Sequence, residues 1–289
     1  MPSQEYIPYI NLPSFLGIKP GEIIMIASDI TRMSMTAIRQ EGKFNPEDLI
    51  DSFIEKLGEE GSLIIPSFNF NLKDGERFDV KKSVPVTGAL AETALERGDF
   101  IRTLHPLHSF LVQGKYAVDL AAMDNISSFG KDSPFAFFKE KDVLMLMLGT
   151  SVTDAFTFVH YVEELEDVKY RNHINKRIKY FHADGREEWK EITIFAKKPG
   201  WTMNLASLEK LFREKGILIE SSFNGVPCTQ VRLGKAFPII REDIFNNKAR
   251  NISRFSPKLF FREVAKKTLS SLHLYSTLTE KISHDPGPR

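Results

Sequence analysis

The chain has 289 residues, 42% of them apolar, with 39 basic against 38 acidic side chains for a net charge of +1. That length holds one large α/β domain or two small ones, and the even charge balance gives no general attraction to nucleic acid. The one cysteine, Cys228, excludes an intrachain disulfide framework and suits a reducing cytoplasm, while no apolar run approaches the ~20 residues that span a bilayer, so neither a membrane span nor a leader peptide is expected.

Residues 22–28 (EIIMIAS) read as a first strand that ends in the polar turn Ser28-Asp29-Ile30-Thr31. Asn45 followed by Pro46 opens a helix over 46–57, since a capping Asn and a Pro at the first helical position both favour that start. Residues 61–67 read as a second buried strand with a proline stop, and the polar stretch 69–85, with its Asp74-Gly75 turn signal, as a long loop. A helix is expected from Thr87 to about Arg97, an extended segment at Phe110–Val112, and another helix opened by Asp132-Ser133-Pro134. The apolar run Val143–Leu148 reads as a buried strand. A Gly149-Thr150-Ser151 turn follows it, then a helix carrying Thr157, His160, Glu163 and Glu164.

From about residue 175 the pattern changes. Arg177–Ala183 and Trp189–Phe195 read as strands joined through Asp184-Gly185, a hairpin signal. Leu205–Lys215 reads as helix, Ile217–Ile219 as extended, and Phe223–Leu233, with Asn224-Gly225, as a second hairpin before a helix at Arg241–Lys248. Strands alternate with helices first and hairpins come later, which predicts a mixed or parallel core sheet with a β-rich insertion or second lobe. There is no internal repeat, and the end of the chain, Ser283–Arg289, is expected to fray.

The first candidate site is His160 with Glu163, Glu164 and Asp154. Residues three and four apart share one helix face. Free imidazole titrates near ~6.5, which suits a general base, and a carboxylate partner raises its proton affinity and fixes its tautomer. The position just past a strand's C-terminal end is where open α/β sheets bind ligands. The competing reading is a solvated acidic helix face made of Glu163, Glu164, Glu166 and Asp167.

Second, His105 and His108 straddle Pro106 in Arg102–Phe110, either to bind a ligand or to hold their loop through the backbone. Third, Ser28, Asp29 and Thr31 form a turn that either offers N–H groups to a phosphate or simply joins strand to helix; it lacks a glycine-rich pattern. A fourth reading gathers His105, His108, His160 and a carboxylate around zinc, but the chain has no H-E-x-x-H or Cys/His cluster. It also has no G-x-S-x-G elbow, and Cys228 carries no local nucleophile signature.

Taken together these segments resemble the aminoglycoside 3-N-acetyltransferase family, the antibiotic N-acetyltransferases, from about Gly21 to Asp243. The matching stretches are Gly61–Phe68, Thr87–Glu92, Arg102–Phe110, Phe129–Pro134, Leu148-Gly149 and Thr157–Glu163. Their order and spacing carry the resemblance more than any one of them. It implies an α/β, antibiotic N-acetyltransferase-like fold: a central mixed sheet flanked by helices with a β-rich C-terminal part at about 175–240, in a single domain over 1–289 with a flexible tail at 276–289.

The resemblance further implies a cytoplasmic enzyme that moves an acetyl group from acetyl-CoA to a primary amine of an aminoglycoside or related amino sugar, with no metal. The partner is then a small-molecule amine, not nucleic acid or membrane, with a homodimer left open. On the matched positions His160 corresponds to the catalytic histidine and Glu163 to its acidic companion, with oxyanion donors near Thr157. Ser28 and Thr31 match the polar turn beside CoA, and Ser67, His108 and Ser109 fall in segments lining the same cleft. Glu164 and Asp154 are expected to bind the acceptor.

The turn after the first strand departs from the family's H-S-S-L-S-S-L-G: here it is Ala27-Ser28-Asp29-Ile30-Thr31-Arg32-Met33-Ser34. Asp29 there repels a diphosphate unless it points away or pairs with Arg32. Other readings are acetylation of nucleotide-linked amino sugars in surface-glycan synthesis, a metal-dependent hydrolase, and a non-catalytic relative that binds CoA or a sugar.

Overall fold

The computed structural model describes residues 5–266; the tail expected at 276–289 lies outside them. In chain order the strands are β1 (Ile23–Ser28), β2 (Ser62–Phe68), β3 (Arg77–Asp79), β4 (Ile101–Arg102), β5 (His108–Gly114) and β6 (Leu144–Leu148). There follow β7 (Arg171–Phe181), β8 (Glu187–Lys197), β9 (Trp201–Met203), β10 (Leu218–Phe223), β11 (Val226–Arg232) and β12 (Ser253–Phe255). One seven-stranded sheet has the order β10-β11-β6-β1-β2-β5-β4. Its centre, β6-β1-β2, is parallel, and its margins pair antiparallel. This is a central mixed sheet flanked by helices.

Side chains alternate across the central strands, as a period of two requires. Ile24, Ile26, Leu63, Ile65, Leu144, Leu146 and Leu148 bury on one face; Met25, Ile64, Met145 and Met147 bury on the other. Helices Thr31–Glu41, Pro46–Leu57 and Ala89–Glu96 cover the first face through Met33, Phe53 and Ala94. Helices Pro134–Glu140, Val159–Leu165, Ala206–Glu214 and Leu233–Asn247 cover the second through Phe138, Val162, Phe212 and Ile240. Burial on both faces explains why these strands read as unbroken apolar runs.

Several expectations are corrected. Pro66 does not stop β2, which runs on to Phe68. Phe110, opposite Pro66, directs its own N–H and C=O to Thr103, so this is a non-hydrogen-bonded pair and the proline nitrogen faces the β1 side. No donor is needed there, because β1 pairs with β2 only as far as Met25 and Ile64. Beyond that point the two strands part, and the gap between their C-terminal ends becomes the cavity described below.

The turn after β1 leads into a helix, Thr31–Glu41, in line with the reading of that turn as joining strand to helix. The second hairpin, β10-β11, is not part of a separate β-rich lobe: β11 pairs with β6 and extends the main sheet. The first hairpin is longer than expected and does stand apart, with β3 from the polar 69–85 stretch as its third strand.

Candidate active site

At the C-terminal ends of the parallel strands lies a cavity of about 400 Å³. Its walls come from Ile26–Thr31 at the end of β1 and in the turn after it, Ile65, Pro66, Phe68 and Phe70 around the end of β2, Val86–Ala89, and Thr150, Asp154, Ala155 and Thr157 after β6. The chain leaves β1 for β2 on one side, while β6 lies on the other, so this is a topological switch point, the usual ligand crevice of such sheets. The turn after β1 is locked to the end of β6 by the Asp29 N–H donating to Leu148 O at 2.8 Å, and the turn after β6 is held to β11 by the Gly149 N–H donating to Pro227 O at 2.8 Å. Gly149 has φ of 70°, and a Cβ there would sit 2.2 Å from Asp29 O, so only glycine fits.

Ser28, Thr31, Asp154 and Thr157 all line this cavity, as does Asp29. Asp29 makes no ion pair with Arg32 among the described residues. Its Oδ1 accepts the Thr31 N–H at 3.0 Å, opening the Thr31–Glu41 helix. Hydrogen bonds from the Thr31 side chain and backbone hold its carboxyl below the usual range, so it is anionic. The N–H expected to meet a phosphate is therefore already occupied by a carboxylate. Asp154 accepts from Ser151 Oγ at 2.6 Å, which in turn accepts the Asp154 N–H at 3.2 Å, closing a short helix Val152–Ala155.

The expected single helix through this region is broken. Val152–Ala155 and Val159–Leu165 are separate, and Phe156 and Phe158 on either side of the break are buried in the core. Thr157 sits in the break, its hydroxyl donating to Ala155 O at 3.3 Å. The second helix still puts His160 and Glu163 on one face: His160 Nδ1 lies 2.6 Å from Glu163 Oε2. The Glu163 side chain is 0% exposed and that of His160 18%.

Two residues that carried no local sequence signal complete this cluster. The Tyr170 hydroxyl donates to Glu163 Oε1 at 2.7 Å. Arg171, the first residue of β7, places Nε 2.7 Å from Glu163 Oε2 and Nη2 2.9 Å from His160 Nδ1, while its Nη1 donates to Phe195 O at 2.9 Å. Burial alone would push the Glu163 carboxyl up, but contacts with His160, Arg171 and Tyr170 outweigh it and hold the group below its ordinary value. Glu163 is thus a carboxylate, and Nδ1 donates to it. The imidazole lone pair then lies on Nε2, which keeps accessible surface and has no hydrogen bond among the described residues.

The sequence reading expected Glu163 to raise the proton affinity of His160. The carboxylate does act in that direction, but burial first and Arg171 second overcome it, and the net shift is downward. His160 is therefore neutral at neutral pH, the form a base needs.

His105 and His108 form a different cluster. His105 Nδ1 accepts the N–H groups of Leu107 and His108, each at 3.3 Å, and its Nε2 lies 3.3 Å from Ser128 Oγ. Ser128 Oγ is in turn 2.9 Å from His108 Nδ1. Burial, with Lys190 adding to it, pulls His105 down to about 3. Burial likewise takes His108 well below the ordinary value, with His105 and His160 acting in the same direction. Among the described residues no group of three His, Cys, Asp or Glu side chains converges to hold a metal ion, and the three histidines proposed as zinc ligands make these other contacts instead.

Ser67 and Ser109 are fully buried in β2 and β5 rather than on the cavity wall. Ser109 Oγ donates to Ser67 O at 2.7 Å and accepts from Arg102 Nε at 2.9 Å. Arg102 also donates to Ser83 O, Ser67 O and Asn69 Oδ1, so it staples the 69–85 loop to the sheet edge. Glu164 does not line the cavity but shares the His160 face. Its Oε1 accepts from Ser127 Oγ at 2.5 Å, and its buried Oε2 has no hydrogen-bond partner among the described residues.

Among the described residues no helix is long and apolar enough to cross a membrane. No curated protein matches the chain in sequence. The family model described as aminoglycoside 3-N-acetyltransferase matches residues 30–243. Among solved structures, the AAC-IIIb binary complex with CoASH superposes with a TM-score of 0.69 at 18% identity, covering 86% of this chain and 96% of that one. The YokD protein from Bacillus subtilis gives 0.69 at 19% identity, over 84% and 94%. AAC-VIa bound to sisomicin gives 0.67 at 18% identity, over 83% and 96%.

Proposed function

The chain belongs to the aminoglycoside 3-N-acetyltransferase family, a family of acyltransferases, and from that membership we propose that it transfers an acetyl group from acetyl-CoA to a primary amine of an amino sugar. The observation that carries this reading is the His160–Glu163 pair at 2.6 Å, one helical turn beyond Thr157 of the cavity wall, with Nε2 of the imidazole free of protein hydrogen bonds among the described residues.

An amine is mostly protonated at neutral pH and attacks only after it loses a proton. His160 Nε2 takes that proton while Glu163 fixes the ring through Nδ1 and stabilises the imidazolium that forms. The amine nitrogen then attacks the thioester carbonyl, giving a tetrahedral oxyanion, and the thiolate leaves. Among the described residues, no hydroxyl of the cavity wall is paired with a histidine or lysine, and the two carboxylates there are already engaged, Asp29 by the Thr31 N–H and Asp154 by Ser151 Oγ. Direct transfer within a ternary complex therefore fits better than an acyl-enzyme.

The cavity suits the arm of CoA that bears the acetyl group: Ile26, Ile65, Phe68 and Val86 give it apolar walls, with Thr87 and Thr150 as polar points. The CoASH complex of AAC-IIIb supports CoA as the co-substrate. Asp29 keeps the diphosphate of CoA out of the turn after β1. Glu164, four residues beyond His160 with a buried and unpartnered carboxylate oxygen, is the group we assign to the acceptor's ammonium charge. The sisomicin complex of AAC-VIa supports an aminoglycoside or related amino sugar as that acceptor.

Thiol release from acetyl-CoA tests the reading, with aminoglycosides bearing a free 3-amino group, nucleotide-linked amino sugars and a blank without acceptor. Release with an aminoglycoside supports the full proposal. Release with nucleotide amino sugars alone keeps the chemistry and moves the role to glycan synthesis. Silence across the panel while CoA binds overturns it in favour of a binding protein.

A further inference from the structure

His108 is used neither by the base nor by any metal, yet its surroundings are unusually determined. His105 Nδ1 accepts two backbone N–H groups, so the His105 proton is on Nε2, facing Ser128. The Ser128 hydroxyl then has one acceptor within reach, His108 Nδ1 at 2.9 Å, and donates to it. That leaves the His108 proton on Nε2. This N–H is the end of the string: it has no hydrogen bond among the described residues and retains accessible surface.

The ring is held on three sides by aromatic side chains. Phe68 and Phe70, both on the cavity wall, lie 5.0 and 5.5 Å from it, and Phe129 lies 4.7 Å from it. Phe129 also packs against His160, at 5.2 Å. His108 does not itself line the cavity: its ring lies behind Phe68 and Phe70 of the wall and across Phe129 from His160, in apolar surroundings where a hydrogen bond to developing charge is strongest.

We propose that His108 is a second catalytic residue, whose Nε2–H donates to the thioester carbonyl oxygen as it becomes an oxyanion. This rests on the acetyl-transfer reading above. As the amine lone pair forms the new C–N bond, the carbonyl π pair moves onto oxygen, where the His108 N–H meets it. The ammonium proton that His160 took first has gone to solvent, and the second proton, lost from nitrogen as the C–N bond forms, passes to the same Nε2. The oxyanion then re-forms the carbonyl, the C–S bond breaks with its electron pair on sulfur, and the imidazolium of His160 returns the proton to the thiolate. The products are an amide and free thiol, with His108 unchanged. A neutral imidazole polarises a carbonyl in this way without giving up its proton, and burial among phenyl rings keeps His108 neutral throughout.

The test compares His108→Phe with His108→Gln, whose amide restores a donor. Heteronuclear NMR of the imidazole nitrogens in the unliganded protein gives a readout independent of activity. His108→Phe is expected to lower kcat by ~10²–10³-fold, the usual cost of one oxyanion donor, with the KM for amine and the Kd for CoA unchanged. His108→Gln is expected to recover part of that loss. NMR is expected to show a neutral, Nε2-protonated ring from pH 5 to 8. A His108→Phe variant with wild-type kcat, or one that raises only the KM for amine, overturns the proposal, as does an Nδ1-protonated ring. A wild-type protein that moves no acetyl group fails the underlying reading instead, and the wild-type control reveals that before any variant is compared.

Discussion

Phe129 separates two histidine clusters that the chain builds on opposite principles. Around His160 the partners are ionic: a buried carboxylate, a buried guanidinium and a tyrosine hydroxyl. Around His108 they are neutral: one serine hydroxyl and a second imidazole. In the ionic cluster, burial and Arg171 push the proton off His160 while Glu163 draws it back, so the affinity is a balance that the reaction can tip. In the neutral cluster burial and the neighbouring histidines push His108 one way only, and at His105 burial outweighs the upward pull of the Ile126 backbone and Asp124. The first arrangement can carry a proton through a catalytic cycle. The second can only hold one in place and offer it as a hydrogen bond.

Breaking the ionic side is expected to do most damage. His160→Ala removes the base, and turnover should fall by ~10²–10⁴-fold with CoA binding retained; near-normal turnover at saturating amine removes His160 from the mechanism. Glu163→Gln comes next. The ring stays but its Nδ1 partner is no longer charged, and a loss toward the ~10²-fold end of that range is expected. It also strands Arg171, which is buried, so about 3–5 kcal/mol of stability should be lost in a denaturant titration. The sign of its pH effect is fixed: with the upward pull of Glu163 gone, burial and Arg171 act alone and the acid limb of kcat/KM moves to lower pH. A limb that stays put assigns Glu163 to structure alone.

Arg171→Met sharpens the same balance from the other side. It removes a downward pull and leaves Glu163 in place, so the proton affinity of His160 rises and the acid limb moves to higher pH. Activity should fall most below neutrality and least on the plateau, in pH profiles of kcat/KM. The groups facing His160 are Glu163 on its own helix, Arg171 from β7 and the neutral His108 cluster across Phe129, so opposite shifts in these two variants isolate the ionic terms. Shifts of the same sign break the account.

How much of this was legible beforehand follows from sequence separation. His160 and Glu163 are three residues apart, and helical geometry alone brings them together. The unbroken apolar runs within 22–28 and 143–148 likewise announce strands without any tertiary knowledge. Arg171 was hidden because it reaches the pair from the first residue of a strand, and Ser128 because it lies twenty residues from His108. The turn after β1 could be read as joining strand to helix, but the bounds Thr31–Glu41 could not, because the N-cap residue of that helix makes no side-chain cap to mark its start. Pro66 was misread as a stop because its harmlessness depends on which side of β2 is unpaired, a fact about β1 and β5 rather than about Pro66.

Ser128→Ala should have the smallest effect and separates the clusters most cleanly. It removes one neutral hydrogen bond, worth ~0.5–1.5 kcal/mol net, and frees His108 to place its proton on either nitrogen. Molecules with the proton on Nδ1 then present a lone pair, not a donor, to the carbonyl oxygen. A fall of about 2–10-fold in kcat is expected, matching that energy range, with no movement of the acid limb, because no charge near His160 has changed. A shifted acid limb in Ser128→Ala would mean that the two histidines titrate as one system. The division between a cluster that moves protons and one that fixes them would then have to be given up.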